Sequence, residues 1–370
     1  MADATPLNDA APLPAQRRAE LLSVLNSDNA LRASELAGQF GVSVMTVRRD
    51  LAELQRQGLI KRVHGGAVLP QTPIAVPSGP GITGKIALLV PSLDFYWPSV
   101  ARGAEAAARR RGLRLLLRGD SYDSSDERPA LAPLFAMDDV IGVGAVINTL
   151  GPHSTDVLEW LAQQTKPTVL IEREAVAGHF HQAVESVVTD HAEGAAVAAR
   201  HLWELGHRRI GCVVSRTSPT TRKITVGWQA ACRQLGVPEE DLIVDEVPDH
   251  RTTSFAPTIE AVIDRCLAVG VTGLLVHSDR EAIGMVQHLE GRGLRVPEDM
   301  SIVSYDDELA ALFTPALTAV RPARDALGAA AVDLLAARQA DPARPVHRVT
   351  ISPELFVRES TGPVPSVAAE

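Results

Sequence analysis

The chain has 370 residues, 45% of them hydrophobic and 22% charged, with a net charge of −9. That length is too great for one small domain and predicts two or three, with enough apolar material for a large core. No apolar run approaches the ~18 residues of a membrane span, and the first residues lack a basic-then-apolar secretion signal, so a cytoplasmic protein without a membrane partner is expected. Cys212, Cys232 and Cys266 are odd in number and far apart. They read as small buried residues, not as a disulfide framework or a zinc site.

Residues 1–14, MADATPLNDAAPLP, read as a disordered tail. A first domain over 15–69 begins with a helix from Arg17 to Ser27 and a second from Ala33 to Phe40, followed by a turn at Gly41. Ser43 is a good N-cap for a third helix, on which Val44, Val47, Leu51 and Leu54 form one apolar stripe. Met45 and Arg49 then lie opposite the stripe, Arg48 sits on a flank, and Thr46 opens the first turn. Leu59, Ile60 and Val63 read as a strand, and His64-Gly65-Gly66 as a turn tip. Two helices, a glycine turn, a third helix and a glycine-tipped wing make a winged helix-turn-helix. Its expected partner is double-stranded operator DNA. Met45, Thr46, Arg48 and Arg49 would approach bases or nearby phosphates, while Lys61, Arg62 and His64 hold the backbone.

Charge agrees locally. Residues 15–62 hold eight basic against five acidic side chains, +3 within a chain of −9, so the rest of the molecule repels DNA. The segment SELAGQFGVSVMTVRRDLAELQRQGLIKRVHGGAVL, with the rest of 17–69, resembles the winged helix-turn-helix of the DeoR family of bacterial transcription regulators.

Residues 70–84, PQTPIAVPSGPGITG, are too rich in Pro and Gly for a helix or inner strand and read as a linker. Gly79 to Lys85 has the spacing of a phosphate-binding loop, but Ile86 stands where Ser or Thr is required and a strand follows, so nucleotide hydrolysis is excluded.

Beyond the linker, short apolar runs alternate with helical patterns. Strands are expected at 86–90, 113–117, 143–147 and 168–171, separated by helices at 97–111, 127–136 and 154–164. A second series has strands near 187 and at 210–214, 242–244, 274–276 and 301–304, with helices at 191–205, 225–235, 255–268 and 280–291. The fold class is therefore α/β, with two parallel-sheet lobes over 85–362 and the second lobe at roughly 190–318. In such sheets ligands bind beyond the carboxyl ends of the strands, which puts a small-molecule site between the lobes.

The segments TDHAEGAAVAARHLWELGHRRIGCV, HSDREAIGMVQHLEGRGLRVPEDMSIVSYDD and TPALTAVRPARDALGAAAVDLL resemble the sensor domain of the LacI/GalR repressors, which is similar to periplasmic sugar-binding proteins. The chain thus looks like a hybrid, a DeoR-type head on a LacI-type sensor. A sugar ring calls for carboxylate or guanidinium groups and a flat side chain. Asp94-Phe95-Tyr96-Trp97 follows the first sensor strand, and the resemblance puts stacking aromatics at Tyr96 and Trp97, with lobe packing as the alternative. Asp279 matches a ligand-binding Asp of the family; its alternative role is to cap helix 280–291, which Ser278 could also do. Arg173 matches a family Arg that could reach the cleft or brace it. Thr220 and Trp228 complete the expected set, with Asn148 and Asp306 as weaker candidates. Ile224 departs from the pattern, standing where the family usually has an Arg; Arg222 or Arg216 could substitute from the same loop.

The combined expectation is a homodimeric regulator that represses carbohydrate uptake or catabolism genes under control of a sugar effector. No cofactor and no metal are expected, since His179 and His181 lack further ligands nearby. A nucleoside effector, or a sensor kept only for dimerisation, is the alternative. An enzyme would need paired carboxylates or an oriented nucleophile, and neither is visible. Residues 70–84 also lack the hinge helix of LacI repressors, so lobe closure is expected to change the spacing of two heads.

Overall fold

The computed structural model describes residues 30–32, 37–38, 42–56, 61–63, 66–68, 84–93, 96–122, 124–177 and 182–364. The expected helix 17–27, nearly all of helix 33–40, Leu59, Ile60, His64, Gly65, linker residues 70–83, Asp94, Phe95 and His179 to His181 lie outside the described residues. The chain divides into two compact units, Met1–Ala75 and Val76–Glu370.

In the first unit, helix α1 (Val44–Arg56) starts where the Ser43 hydroxyl accepts the Thr46 amide at 3.1 Å, satisfying a donor that the helix itself leaves open. Val47, Leu51 and Leu54 are buried, as the stripe requires, but Val44 is 38% exposed. It sits at the edge of the stripe and at the helix end, where less of the domain covers it. Strands β1 (Ala30–Arg32), β2 (Lys61–Val63) and β3 (Gly66–Val68) form an antiparallel sheet in the order β1-β3-β2. The wing hairpin was legible from its glycines. Strand β1 was not, because three residues carry no measurable alternation.

The second unit holds two sheets. The first joins β4 (Lys85–Val90), β5 (Arg114–Gly119), β6 (Val140–Ala145), β7 (Thr168–Ile171), β10 (Ser186–Thr189) and β16 (Arg348–Ile351) in the order β16-β10-β7-β6-β4-β5, all parallel. A short hairpin, β8 (Val176–Ala177) with β9 (Gln182–Ala183), stands beside it. Helices α2 (Tyr96–Arg110) and α9 (Arg324–Ala340) cover one face; α3 (Arg128–Ala136) and α4 (Ser154–Ala162) cover the other. The second sheet runs β12-β11-β13-β14-β15-β17, from β11 (Ile210–Ser215), β12 (Ile243–Val247), β13 (Gly273–Val276), β14 (Ser301–Tyr305), β15 (Thr318–Arg321) and an antiparallel β17 (Glu354–Phe356). Its faces are packed by α5 (His191–Glu204) with α6 (Thr221–Leu235), and by α7 (Phe255–Ala268) with α8 (Asp279–Gly291). Both sheets are covered on both sides, which is why their strands read as continuous apolar runs.

The chain crosses between the lobes after β10, after β15 and after β16. Helix α9 therefore belongs to the first lobe although it follows a strand of the second. It lies against α2 at two glycines: a Cβ on Gly103 would stand 1.9 Å from the Asp325 carbonyl oxygen, and one on Gly328 would stand 1.9 Å from that of Val100. Two helix backbones meet here with no room for a methyl group, and no flexible side-chain end can yield. We expect Gly328→Ala to lower unfolding stability by about 1–3 kcal/mol in urea titration, since an added core methyl forces backbone shifts. Gly291→Ala, whose Cβ meets nothing within 4 Å, is the control and should be neutral or slightly stabilising.

Candidate functional site

The exposed side of α1 is laid out by its buried side. With Val47 and Leu51 at 0% and 1% exposure, Met45 is left 63% exposed and Arg49 is exposed, while Thr46 is held at the cap by its 2.9 Å contact with the Ser43 hydroxyl. Arg48 lies on the same helix, and Lys61 and Arg62 lie on β2 of the wing. Asp50 is buried and does not compete on that surface.

In the sensor, the carboxyl ends of β4, β6 and β7 in one lobe and of β11, β13 and β14 in the other carry the polar groups. Trp97 is 4% exposed and part of the first lobe's core, so it is not a stacking platform; α2 turns its ring inward and its indole N–H donates to the Tyr122 hydroxyl at 2.6 Å. Tyr122, 55% exposed, is the aromatic left open there, and no neighbouring motif in the sequence marks it. Tyr96 is half-buried beneath Arg324, whose guanidinium lies 5.5 Å from its ring centre, and its hydroxyl donates to Glu172. Stacking is thereby corrected to anchoring for both aromatics.

Asp279 is corrected as well. It is 3% exposed, and its carboxylate accepts the Ser304 hydroxyl at 2.5 Å and the amides of Glu308, Leu309 and Ala310 at 2.6–3.2 Å. It holds the loop after β14, with three amides on Oδ2 and one hydroxyl on Oδ1. Ser278 takes the cap of α8, its amide and hydroxyl both donating to Glu281. Trp228 is fully buried in the second lobe's core and likewise leaves the site. Arg173 braces: its guanidinium donates to the carbonyls of Ile147 and Glu172 at 3.2 and 2.9 Å. Asn148 closes its own turn by accepting the Leu150 amide at 3.1 Å. Thr220 touches His277 Nε2 at 3.4 Å, and Arg222 is exposed on the first turn of α6.

Asp306 gains weight. It follows β14 with φ 89, a backbone region that a residue with a side chain seldom occupies, and its carboxylate takes no hydrogen bond among the described residues. Burial, helped by the neighbouring Asp279 charge, pushes its carboxyl up to about 7. Glu308 rises to about 8 for the same reasons, burial first and then Asp306. The adjacent His277 imidazole is driven down to about 4 by burial and is neutral at physiological pH. Tyr122 lies within electrostatic range of Arg173 in its own lobe and of Asp306 and Glu308 in the other. The lobes are also tied by Lys223 of α6, whose ammonium donates to Glu174 at 2.9 Å, while Arg348 holds the same carboxylate at 2.8 Å.

The comparisons agree with this architecture. The DeoR-like helix-turn-helix domain matches residues 17–72, and the periplasmic binding protein-like domain matches 199–361. An HTH-type transcriptional regulator of Streptomyces limosus is 31% identical over 291 residues, 75% of this chain and 79% of that protein. The arabinose metabolism transcriptional repressor of Geobacillus stearothermophilus is 26% identical over 335 residues, 88% and 90% of the two chains. A LacI family transcriptional regulator from Enterococcus faecium, solved with bound ribose, shares the fold at 23% identity and a TM-score of 0.60, covering 76% of this chain and 99% of its own. The chain is a DNA-binding transcription regulator, and it belongs to the HTH-type transcriptional regulators with a periplasmic binding protein-like sensor. It carries the DeoR-like head in front of that sensor.

The Asp306 carboxyl yields a pH test. Its folded value lies above the 3.8 of the free group, so the native state favours the protonated form. The associated stability is complete below about pH 4 and is lost as pH rises through about 7. Asp306→Asn removes that loss, and its stability gain over wild type should be larger at pH 8 than at pH 5 in urea unfolding. Equal differences at the two pH values would refute the assignment.

Proposed function

We propose that the chain represses carbohydrate uptake or catabolism genes and that a sugar-class effector, bound between the sensor lobes, controls its hold on operator DNA. The observation that supports this best is the pairing of Asp306, an uncommitted carboxylate on a strained backbone, with the exposed ring of Tyr122 from the opposite lobe. A carboxylate can take two hydroxyl donors of a sugar and an aromatic ring can cover its apolar face. The names of relatives point the same way, since one represses arabinose metabolism and a fold neighbour holds ribose. Ile224 is fully buried where the family resemblance puts an arginine, which favours an uncharged effector over an anionic one.

On the DNA side, Met45, Thr46, Arg48 and Arg49 read the major groove while Lys61, Arg62 and His64 hold phosphates. Two heads acting together supply the specificity that one small head lacks, so the regulator works as a homodimer. We assign no catalysis to the cleft. The protein acts in the cytoplasm, where operator DNA is accessible.

Thermal unfolding against mono- and disaccharides, polyols, sugar phosphates and nucleosides tests the effector. Ligand at ~100 times its dissociation constant adds ~2.7 kcal/mol, and the shift should vanish in Asp306→Ala and Tyr122→Ala. No shift across the panel would leave an effector outside these classes or a sensor that serves pairing alone. Arg49→Ala should weaken specific operator binding by about 1–3 kcal/mol with the fold intact, and an unchanged affinity counts against its role.

A further inference from the structure

We propose that Glu172 is a positioning residue that couples the aromatic entrance of the cleft to closure of the two lobes, through Tyr96 on one side and His191 on the other. This rests on the reading of the cleft as an effector site and names how that site is tied to the hinge. Glu172 follows β7 at φ 57, and its side chain is 3% exposed. Such a conformation persists in a residue with a long side chain only where its surroundings over-determine it. Here they do. Oε1 accepts the Tyr96 hydroxyl and the Thr189 hydroxyl, the latter at 2.5 Å, while Oε2 accepts the Thr189 amide at 3.1 Å and lies 3.3 Å from His191 Nε2. Burial works to raise this carboxyl, but contacts with His191, Thr189 and Tyr96 outweigh it and hold the group at about 2.

The partners of this one carboxylate stand on different parts of the sensor. Tyr96 is the first residue of α2. Thr189 ends β10 in the first lobe, and His191 begins α5 in the second, so the pair spans the first crossover. The other nitrogen of His191 lies 3.1 Å from the Tyr305 hydroxyl, and Tyr305 immediately precedes Asp306. Polar contacts thus run from the start of α2 through Glu172 to His191 and Tyr305 of the other lobe, with His191 Nε2 facing Glu172 as a close charge contact without hydrogen-bond geometry, and Asp306 is the next residue in the chain. A buried charge deprived of a partner is strongly disfavoured, so the network favours discrete arrangements over gradual slippage when the lobes rotate. A molecule that displaces the start of α2 acts on the crossover through the same carboxylate.

The test needs no effector. Cysteines introduced in the full chain as Glu159→Cys and Glu240→Cys, exposed on opposite lobes, take spin labels, because Cys212, Cys232 and Cys266 are buried. Pulsed dipolar spectroscopy then reads the interlobe distance. We expect a narrow distribution in this background and a shift to longer, broader distances with Glu172→Gln, which keeps the side-chain shape but removes the charge facing His191. His191→Gln should give the same shift, and combining the two should add nothing. A wild-type distribution in Glu172→Gln, even with a lowered melting temperature, would overturn the proposal and leave a purely structural carboxylate; additive shifts would overturn it too. If Glu172→Gln does not fold, His191→Gln and Tyr96→Phe decide, and unchanged distances in both defeat the coupling. Because no ligand is present, a failure here leaves the effector reading standing, and a ligand panel without hits leaves this result standing.

Discussion

Everything in the sensor depends on one constraint, that the chain passes between two fully covered parallel sheets after β10, β15 and β16, each time within two or three residues. Crossings this short hold the carboxyl ends of both sheets near one another, which is where polar side chains can leave the strands without burying unpaired groups. The crossings also send α9 back against α2, where Gly103 and Gly328 allow the two backbones to touch. Without that contact the first lobe would lack a helix on one face, and β16 would have no reason to pair with β10.

Within the cleft the charges divide by how their surroundings satisfy them. Asp279 and Glu172 are buried carboxylates surrounded by donors, the first holding the loop after β14 and the second holding the hinge. Oδ2 of Asp307 is taken by Arg321 and Arg358, while its Oδ1 is buried without a hydrogen bond among the described residues. Asp306, between these fixed groups, is left without a donor, and burial then drives its carboxyl upward. The cleft thus sets a frame of satisfied charges beside acceptors that remain open, Asp306 with Oδ1 of Asp307 and Oε1 of Glu308.

The same logic explains which site residues were readable. The exposed face of α1 was legible because Ser43, the Val47-Leu51-Leu54 stripe and the exposed Met45 and Arg49 lie on a single helix, where periodicity alone sets direction. The cleft was not. Trp97 and Trp228 lie next to or within helices whose inward faces take them, and Tyr122 comes from a loop with no pattern of its own. Asp279 was correctly placed at the end of β13, but whether its carboxylate is free depends on backbone amides some thirty residues later.

By itself the sequence determined the class of protein: a helix-turn-helix head with a glycine-tipped wing, two α/β lobes, and the strand order along the chain, all of which follow from local periods of apolar residues and from turn chemistry. Only the tertiary structure decided the return of α9 to the first lobe, the addition of β16 and β17 to different sheets, and the sorting of Asp279, Glu172 and Asp306 into spent and open carboxylates. Those outcomes rest on contacts between residues far apart in the chain. Hydrogen-bond capacity and burial are properties of such contacts, and no local pattern encodes them.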